Sequence, residues 1–177
     1  MIKDTMKTMI IGYSGSGKST LAGKIAKHQN VPVVYIDTIF WLPGWVSRPR
    51  EECNQILKEF LDNNDSWVID GTYSKNNYDR RLEEADRIIF MNFNRFNCLW
   101  RALKRRIKYN GKARASMTEG CNEKFDWEFF CWIMFKGRNK LNKGHFKKAL
   151  DNYGEKVIVI KNQRQLDTFE RTEGIKN

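Results

Sequence analysis

The stretch KTMIIGYSGSGKSTLAGKIAKH, residues 7–28, constrains this chain more than any other. It opens on an apolar run, crosses a glycine- and serine-rich turn, and continues as an amphipathic helix with Leu21, Ile25 and His28 at i, i+4 and i+7. The turn, GYSGSGKS, fits the spacing G-x-x-x-x-G-K-[ST], which suits phosphate. Gly12, Gly15 and Gly17 let the backbone turn tightly and approach an anion without a Cβ in the way. Successive N–H groups then point inward, and the helix N-terminus adds partial positive charge. The spacing assigns Ser14, Ser16 and Thr20 to the same cradle, Lys18 to the β- and γ-phosphates, and the Ser19 hydroxyl to Mg²⁺. A chance Gly/Ser turn needs neither a strand before it nor a helix after it, and both are present.

Four further apolar runs resemble the first, TMIIGY (8–13). They are VPVVYID (31–37), SWVID (66–70), RIIFMNF (87–93) and KVIVIK (156–161). Their non-alternating Ile/Val content predicts strands buried on both faces. Helical patterns lie between them, as in REECNQILKEFLDNN, where Ile56, Leu57, Phe60 and Leu61 share one side. Strand alternating with helix predicts an α/β fold with a parallel sheet and right-handed crossovers. At 177 residues, with no repeat or linker, a single domain spanning 1–177 is expected.

No apolar run approaches the roughly 20 residues a membrane helix needs, and no cleavage-site pattern follows the first strand, so a cytoplasmic protein without membrane contact is expected. The cysteines at 53, 98, 121 and 131 form no C-x-x-C pair and are expected to be reduced, buried thiols.

The net charge of +11 is localised: residues 95–148 hold 15 Lys/Arg against 4 Asp/Glu, and the rest of the chain balances. Such a field attracts polyanions, nucleoside triphosphate or nucleic acid alike. Within it, RFNCLWRALKRRIKY predicts a helix with Phe96, Leu99, Trp100, Leu103 and Ile107 on one face and Arg101, Lys104, Arg105 and Lys108 on another. GKARASMTEGCNEK then breaks the periodicity with Gly111 and Gly120. It predicts a mobile lid over about 109–123, inserted in the domain and carrying Arg114. DWEFFCWIMFKGRNKL follows as an aromatic helix, forming core or a wall beside the site, with Arg138 near its end. Arg101 and Arg105, one turn apart, are candidates to neutralise transferring phosphate. Two acids close strands at the ligand end of such a sheet: Asp37 ends VPVVYID and Asp70 ends SWVID. Either can organise magnesium; Asp70 would act through water.

Taken together, GYSGSGKST, YIDTIFW, WVIDGTYS, RALKRR and VIVIKN resemble, in order, the nucleoside monophosphate kinase group of P-loop proteins, which includes adenylate, shikimate and gluconate kinases. IDTIFWLPGW, VIDGTYS and TEGCNEKFDWEF are similar to a bacterial group labelled adenylate-kinase-like or "DNA topology modulation protein". The resemblance implies a five-stranded parallel sheet of order 2-3-1-4-5, a P-loop NTPase three-layer sandwich with a helical, Arg-rich lid. It implies ATP with Mg²⁺ on the loop and an acceptor between the second strand and the helix after it. Asp37 then falls where relatives hold the acceptor or organise magnesium. Arg48, or Arg50 beside it, would hold an acceptor anion, and Asp70 and Tyr73 would border the acceptor. The motif reads Asp70-Gly71-Thr72-Tyr73-Ser74, without the Phe-Pro-Arg of adenylate kinases, and the lid has no C-x-x-C pairs. Both departures weigh against AMP as acceptor.

Three activities fit these features. The first is a kinase moving the γ-phosphoryl of ATP to a small nucleotide, nucleoside or other metabolite. The second is an ATP-dependent nucleic-acid-binding regulator using the basic region 95–148, and the third a nucleotide-hydrolysing switch.

Overall fold

The computed structural model of the chain describes residues 6–109 and 116–175. The elements run β1 (Lys7–Gly12), α1 (Lys18–Gln29), β2 (Val33–Tyr35), α2 (Ile36–Phe40), β3 (Trp41–Leu42), β4 (Val46–Ser47), α3 (Arg50–Asn63) and β5 (Trp67–Asp70). They continue as α4 (Tyr78–Glu84), β6 (Arg87–Met91), α5 (Arg95–Tyr109), α6 (Trp127–Met134), α7 (Lys140–Tyr153), β7 (Val157–Ile160) and α8 (Gln163–Thr172). Five strands form one sheet in the order β2-β5-β1-β6-β7, every pairing parallel. Counted among the sheet strands alone, this is 2-3-1-4-5. β3 and β4 form a separate antiparallel hairpin.

The central strands are buried on both faces because helices cover both. Met9, Ile11, Trp67, Ile69, Ile88 and Phe90 pack toward α2, α3, α4 and α7. Ile10, Val68, Ile89, Met91 and Ile160 pack toward α1, α5, α6 and α8. Alternate residues of one strand thus enter different cores, as the pleat requires, and each fully buried aliphatic side chain contributes about 1.5–3 kcal/mol. The result is a three-layer α/β fold with the C-terminal ends of β1, β2 and β5 at one edge.

Four sequence expectations are corrected. Asp37 does not end a strand: β2 stops at Tyr35, and Asp37 lies in the first turn of α2. His28 is exposed, because α1 buries only Leu21, Ala22, Ile25 and Ala26. α5 does not bury its large apolar stripe: Phe96, Trp100 and Ile107 are exposed, while Cys98 and Ala102 face inward. The cause is proximity. A Cβ on Gly15 would lie 2.4 Å from the Cys98 carbonyl oxygen, so only the small-residue face of α5 fits against the loop. The aromatic helix is also shorter than its pattern; α6 ends at Met134, and a 3₁₀ turn separates it from α7.

Candidate functional site

The loop between β1 and α1 has the shape its spacing predicts. Gly12 and Gly15 have φ of 140° and 78°. A Cβ on Gly12 would come within 2.5 Å of the Met91 carbonyl oxygen, so both conformation and space demand glycine there. Gly17 occupies the N-cap of α1, whose first-turn N–H groups open toward the loop. Lys18 folds back so that Nζ donates to the Tyr13 carbonyl at 3.0 Å. Ser16 Oγ is buried and has no hydrogen-bond partner among the described residues. A glycine cradle, a lysine bent over it and an unsatisfied buried hydroxyl fit a bound polyphosphate.

Gly12, Ser14, Gly15, Gly17, Lys18, Ser19 and Thr20 line a cleft of about 1260 Å³. Single-ligand pockets run to about 300–1,000 Å³, so this one has room for two substrates. Asp37, Asp70, Tyr73, Arg101 and Arg105 line the same cleft. Asp70 is 5% exposed at the end of β5, beside the loop through the β5–β1 pairing.

Asp37 and Tyr73 meet directly: the Tyr73 hydroxyl donates to Asp37 Oδ1 at 2.6 Å. Burial, reinforced by the Asp37 carboxylate, pushes the Tyr73 phenol far above its ordinary pKa and keeps it a donor. Tyr73 has φ of 28°, a conformation bulky residues rarely adopt. Arg81 holds it there. This fully buried guanidinium donates to the carbonyls of Gly71 (2.8 Å), Thr72 (2.9 Å), Tyr73 (3.0 Å) and Asn76 (3.1 Å). Sequence reasoning missed Arg81. The available signal was its place between Tyr78 and Leu82 on the buried stripe of α4.

The arginines divide into two sets. Arg101 reaches the loop, with Nη1 donating to the Ser16 carbonyl at 2.7 Å, Nη2 to Gln163 Oε1, and the guanidinium stacked 4.2 Å from the Phe93 ring centroid. Arg105 is held by Glu123 at 2.6 Å, and Glu123, another residue missed in the sequence, is itself buried. Arg138 stacks 3.7 Å from the Tyr13 ring centroid and donates to the Phe93 carbonyl. Arg48 and Arg50, by contrast, do not line the cleft. Arg48 is tied to the Ile39 carbonyl at 2.8 Å and to Glu52, and Arg50 to the Lys75 carbonyl at 2.8 Å. The expectation of an acceptor-anion clamp there is therefore corrected: nearby carbonyls and a carboxylate take both guanidiniums.

The expected lid is also revised. Its residues 110–115, with Gly111 and Arg114, lie outside the described residues. The described part is docked. Thr118 Oγ1 donates to the carbonyls of Thr38 and Trp41, Cys121 Sγ lies 3.2 Å from the Leu42 carbonyl, and Cys121 is 1% exposed. These contacts place polar side chains and backbone of residues 116–123 on the carbonyls of the α2–β3 segment. On the opposite wall, the Trp132 indole N–H donates to Ser14 Oγ at 3.1 Å, so α6 supplies a wall of the site.

No protein-family model and no curated protein sequence matches the chain. Among solved structures it is similar to a shikimate kinase from Bacteroides thetaiotaomicron, at 15% identity and a TM-score of 0.46, covering 96% of this chain and 98% of that one. It is similar to a shikimate kinase from Acinetobacter baumannii in complex with shikimate, at 12% identity, TM-score 0.48, and coverage of 98% and 96%. A third is a deoxyadenosine kinase from M. mycoides with bound dATP, at 17% identity, TM-score 0.48, and coverage of 96% and 100%. No helix among the described residues is long and apolar enough to cross a membrane.

Proposed function

We propose that the chain is an ATP-dependent phosphotransferase acting on a hydroxyl of a small-molecule acceptor. The observation that carries this reading is one cleft holding both a glycine phosphate loop with Lys18 and, facing the same space, the Asp37–Tyr73 pair. Mg-ATP, when bound, supplies the transferable γ-phosphoryl group and a neutralising dication. The loop N–H groups and the α1 N-terminus hold its phosphates. Ser19 would hold the metal directly and Asp70 would act through one of its waters. Lys18 and Arg101 meet the negative charge that builds on the phosphoryl oxygens, a positioning and electrostatic task that needs no protein nucleophile. Arg105 joins them once drawn from Glu123. Asp37 orients the acceptor hydroxyl and takes its proton, with Tyr73 fixing the carboxylate. The segment 116–123 and Trp132 exclude water that would otherwise compete as acceptor.

The test is a screen of nucleosides, nucleotides and sugars for ATP-dependent phosphorylation, read by mass spectrometry, with Lys18→Ala as control. A phosphorylated product that disappears in the variant supports the reading. ATP loss without product would indicate a hydrolysing switch instead.

The second reading, a nucleic-acid-binding regulator of DNA topology, is favoured by the charge excess in 95–148. Lys104 and Lys108 lie exposed on α5, but Lys147 and Lys148 are spent on Asp151 and Asp79. Its test is DNA affinity across a salt series, which falls steeply where many phosphates are contacted. No binding at low salt removes this reading.

A further inference from the structure

We propose that the phosphoryl acceptor is an uncharged hydroxyl compound carrying a flat aromatic ring, of the nucleoside class, with the ring on a wall of Phe40, Trp41, Trp45 and Tyr73 and the reacting hydroxyl on Asp37. This rests on the phosphotransferase reading and narrows it.

The wall is continuous. Phe40 lies 5.1 Å from Tyr73 and 4.8 Å from Trp41, and Trp41 lies 5.5 Å from Trp45, between ring centroids. All four rings line the cleft. Trp45 and Tyr73 both hold positive φ, 64° and 28°, which is costly for aromatic residues and is kept where it sets side chains at a site. Phe40 meets Trp41 at 89° and Trp41 meets Trp45 at 70°, so a planar ligand stacks on one ring and meets its neighbours edge-on, and every nucleobase offers a π-face for that contact.

The charges on this wall select against an anion. The cations lining the cleft include Lys18 and Arg101 at the loop and Lys104, Arg105 and Lys108 along α5; behind the wall, Arg48 is bound to the Ile39 carbonyl and Glu52, and Arg81 to four backbone carbonyls. Lys124 sits over the Trp45 ring and pairs with Asp126 at 3.4 Å. Asp37 stands at the Tyr73 end of the wall, where its carboxylate repels a phosphate or carboxylate and accepts from a hydroxyl. A nucleoside monophosphate or a sugar acid would bring its anion to this end against that charge. In the transfer, the acceptor hydroxyl oxygen bonds to the γ-phosphorus as the bond from phosphorus to the β,γ-bridging oxygen breaks. ADP leaves with that electron pair, and the hydroxyl proton passes to Asp37.

The test uses the full chain with ATP and Mg²⁺. The acceptors are ribo- and deoxyribonucleosides of each base, their 5′-monophosphates, and shikimate as an anionic, non-aromatic compound. The expected result is one or more nucleosides phosphorylated with kcat/KM at least about 100-fold above the matching monophosphate and shikimate. Preferred transfer to a monophosphate or to shikimate overturns the proposal while leaving the phosphotransferase reading intact. ATP left unconsumed with every acceptor overturns the proposal, and the phosphotransferase reading falls with it only when the sugars of the wider screen also stay unphosphorylated. Trp41→Leu and Phe40→Leu should each raise the nucleoside KM about 10-fold, the loss of one stacking contact, with the KM for ATP unchanged and the circular dichroism preserved. Two folded variants with unaltered nucleoside KM would overturn the aromatic wall as the acceptor's support.

Discussion

Arg105 and Glu123 form an ion pair that joins α5 to the segment returning toward α6, with Nε 2.7 Å and Nη2 2.6 Å from the same carboxylate oxygen. The Glu123 side chain is 7% exposed and that of Arg105 22%, so removing either partner takes a close opposite charge away from a poorly solvated group. Glu123→Ala should lower unfolding free energy by about 1–3 kcal/mol, less than a fully buried pair because Arg105 retains some water. A double-mutant cycle with Arg105→Ala in urea should give a coupling of at least about 0.5 kcal/mol. Additive losses would mean that the pair contributes nothing jointly.

The docked segment makes a thiol prediction. Cys53, Cys98 and Cys121 are buried, and Cys131 is only half-buried. In the native protein without nucleotide, Cys131 should react first with a disulfide reagent and Cys121 should react slowly, identified by peptide mass mapping. Fast labelling of Cys121 that slows on adding Mg²⁺ and a non-hydrolysable ATP analogue would restore a lid that opens freely.

Lys18→Ala should retain the fold and lose at least about 100-fold in turnover, because its charge faces the phosphates at their most negative. Circular dichroism with a kinetic assay checks both halves. Near-native turnover would reduce the loop to a structural turn.

Turnover should require Mg²⁺ and stop on chelation. Asp70→Asn should raise the Mg²⁺ concentration needed for half-maximal rate while leaving apparent ATP affinity at saturating metal near native, because the residue acts through the metal's water. An unchanged metal dependence would hand that role to Asp37.

Alkaline stability should follow the buried phenols. Burial pushes Tyr78 up to about 12 and Tyr73 further, against an ordinary value of 10. The folded state therefore holds these protons more tightly than the unfolded chain. Their contribution is complete below pH 10 and is lost as pH rises, for Tyr78 between about 10 and 12. The unfolding free energy in urea should begin to fall at about pH 9, where the Cys53 and Cys98 thiols, also pushed up by burial, start the loss, and Tyr78 alone should lower it by roughly 2–3 kcal/mol between about pH 10 and 12. Tyr78→Phe should flatten that slope, and a midpoint rising with pH would reverse the assignment.

Local chemistry made much of this protein readable from its residues. The loop glycines were readable because Gly12, Gly15 and Gly17 hold φ of 140°, 78° and 98°, a conformation that favours residues without Cβ, and the loop lies between β1 and α1 where its spacing predicts. The five Ile/Val-rich runs contain the five sheet strands, but burial on both faces holds only for β1, β5 and β6; the edge strands β2 and β7 are half-buried, and Ile158 is exposed. Asp37 and Asp70 reached one cleft because Asp37 follows β2 and Asp70 ends β5, and these paired parallel strands end side by side.

Only the tertiary structure decided where the long polar side chains went. A guanidinium can pair with any carbonyl or carboxylate within reach, and those partners arrive from remote parts of the chain. Arg101 meets the Ser16 carbonyl 85 residues away, Arg105 meets Glu123, and Tyr73 meets Asp37 36 residues away. Arg48 turned to the Ile39 carbonyl and Arg81 to the loop carrying Tyr73 for the same reason. Periodicity likewise marked the apolar stripe of α5 without showing that the helix would approach Gly15 too closely to bury it. Spacing along a chain sets local conformation, whereas the partner of a flexible charged group is chosen by which acceptors the packed fold brings near it.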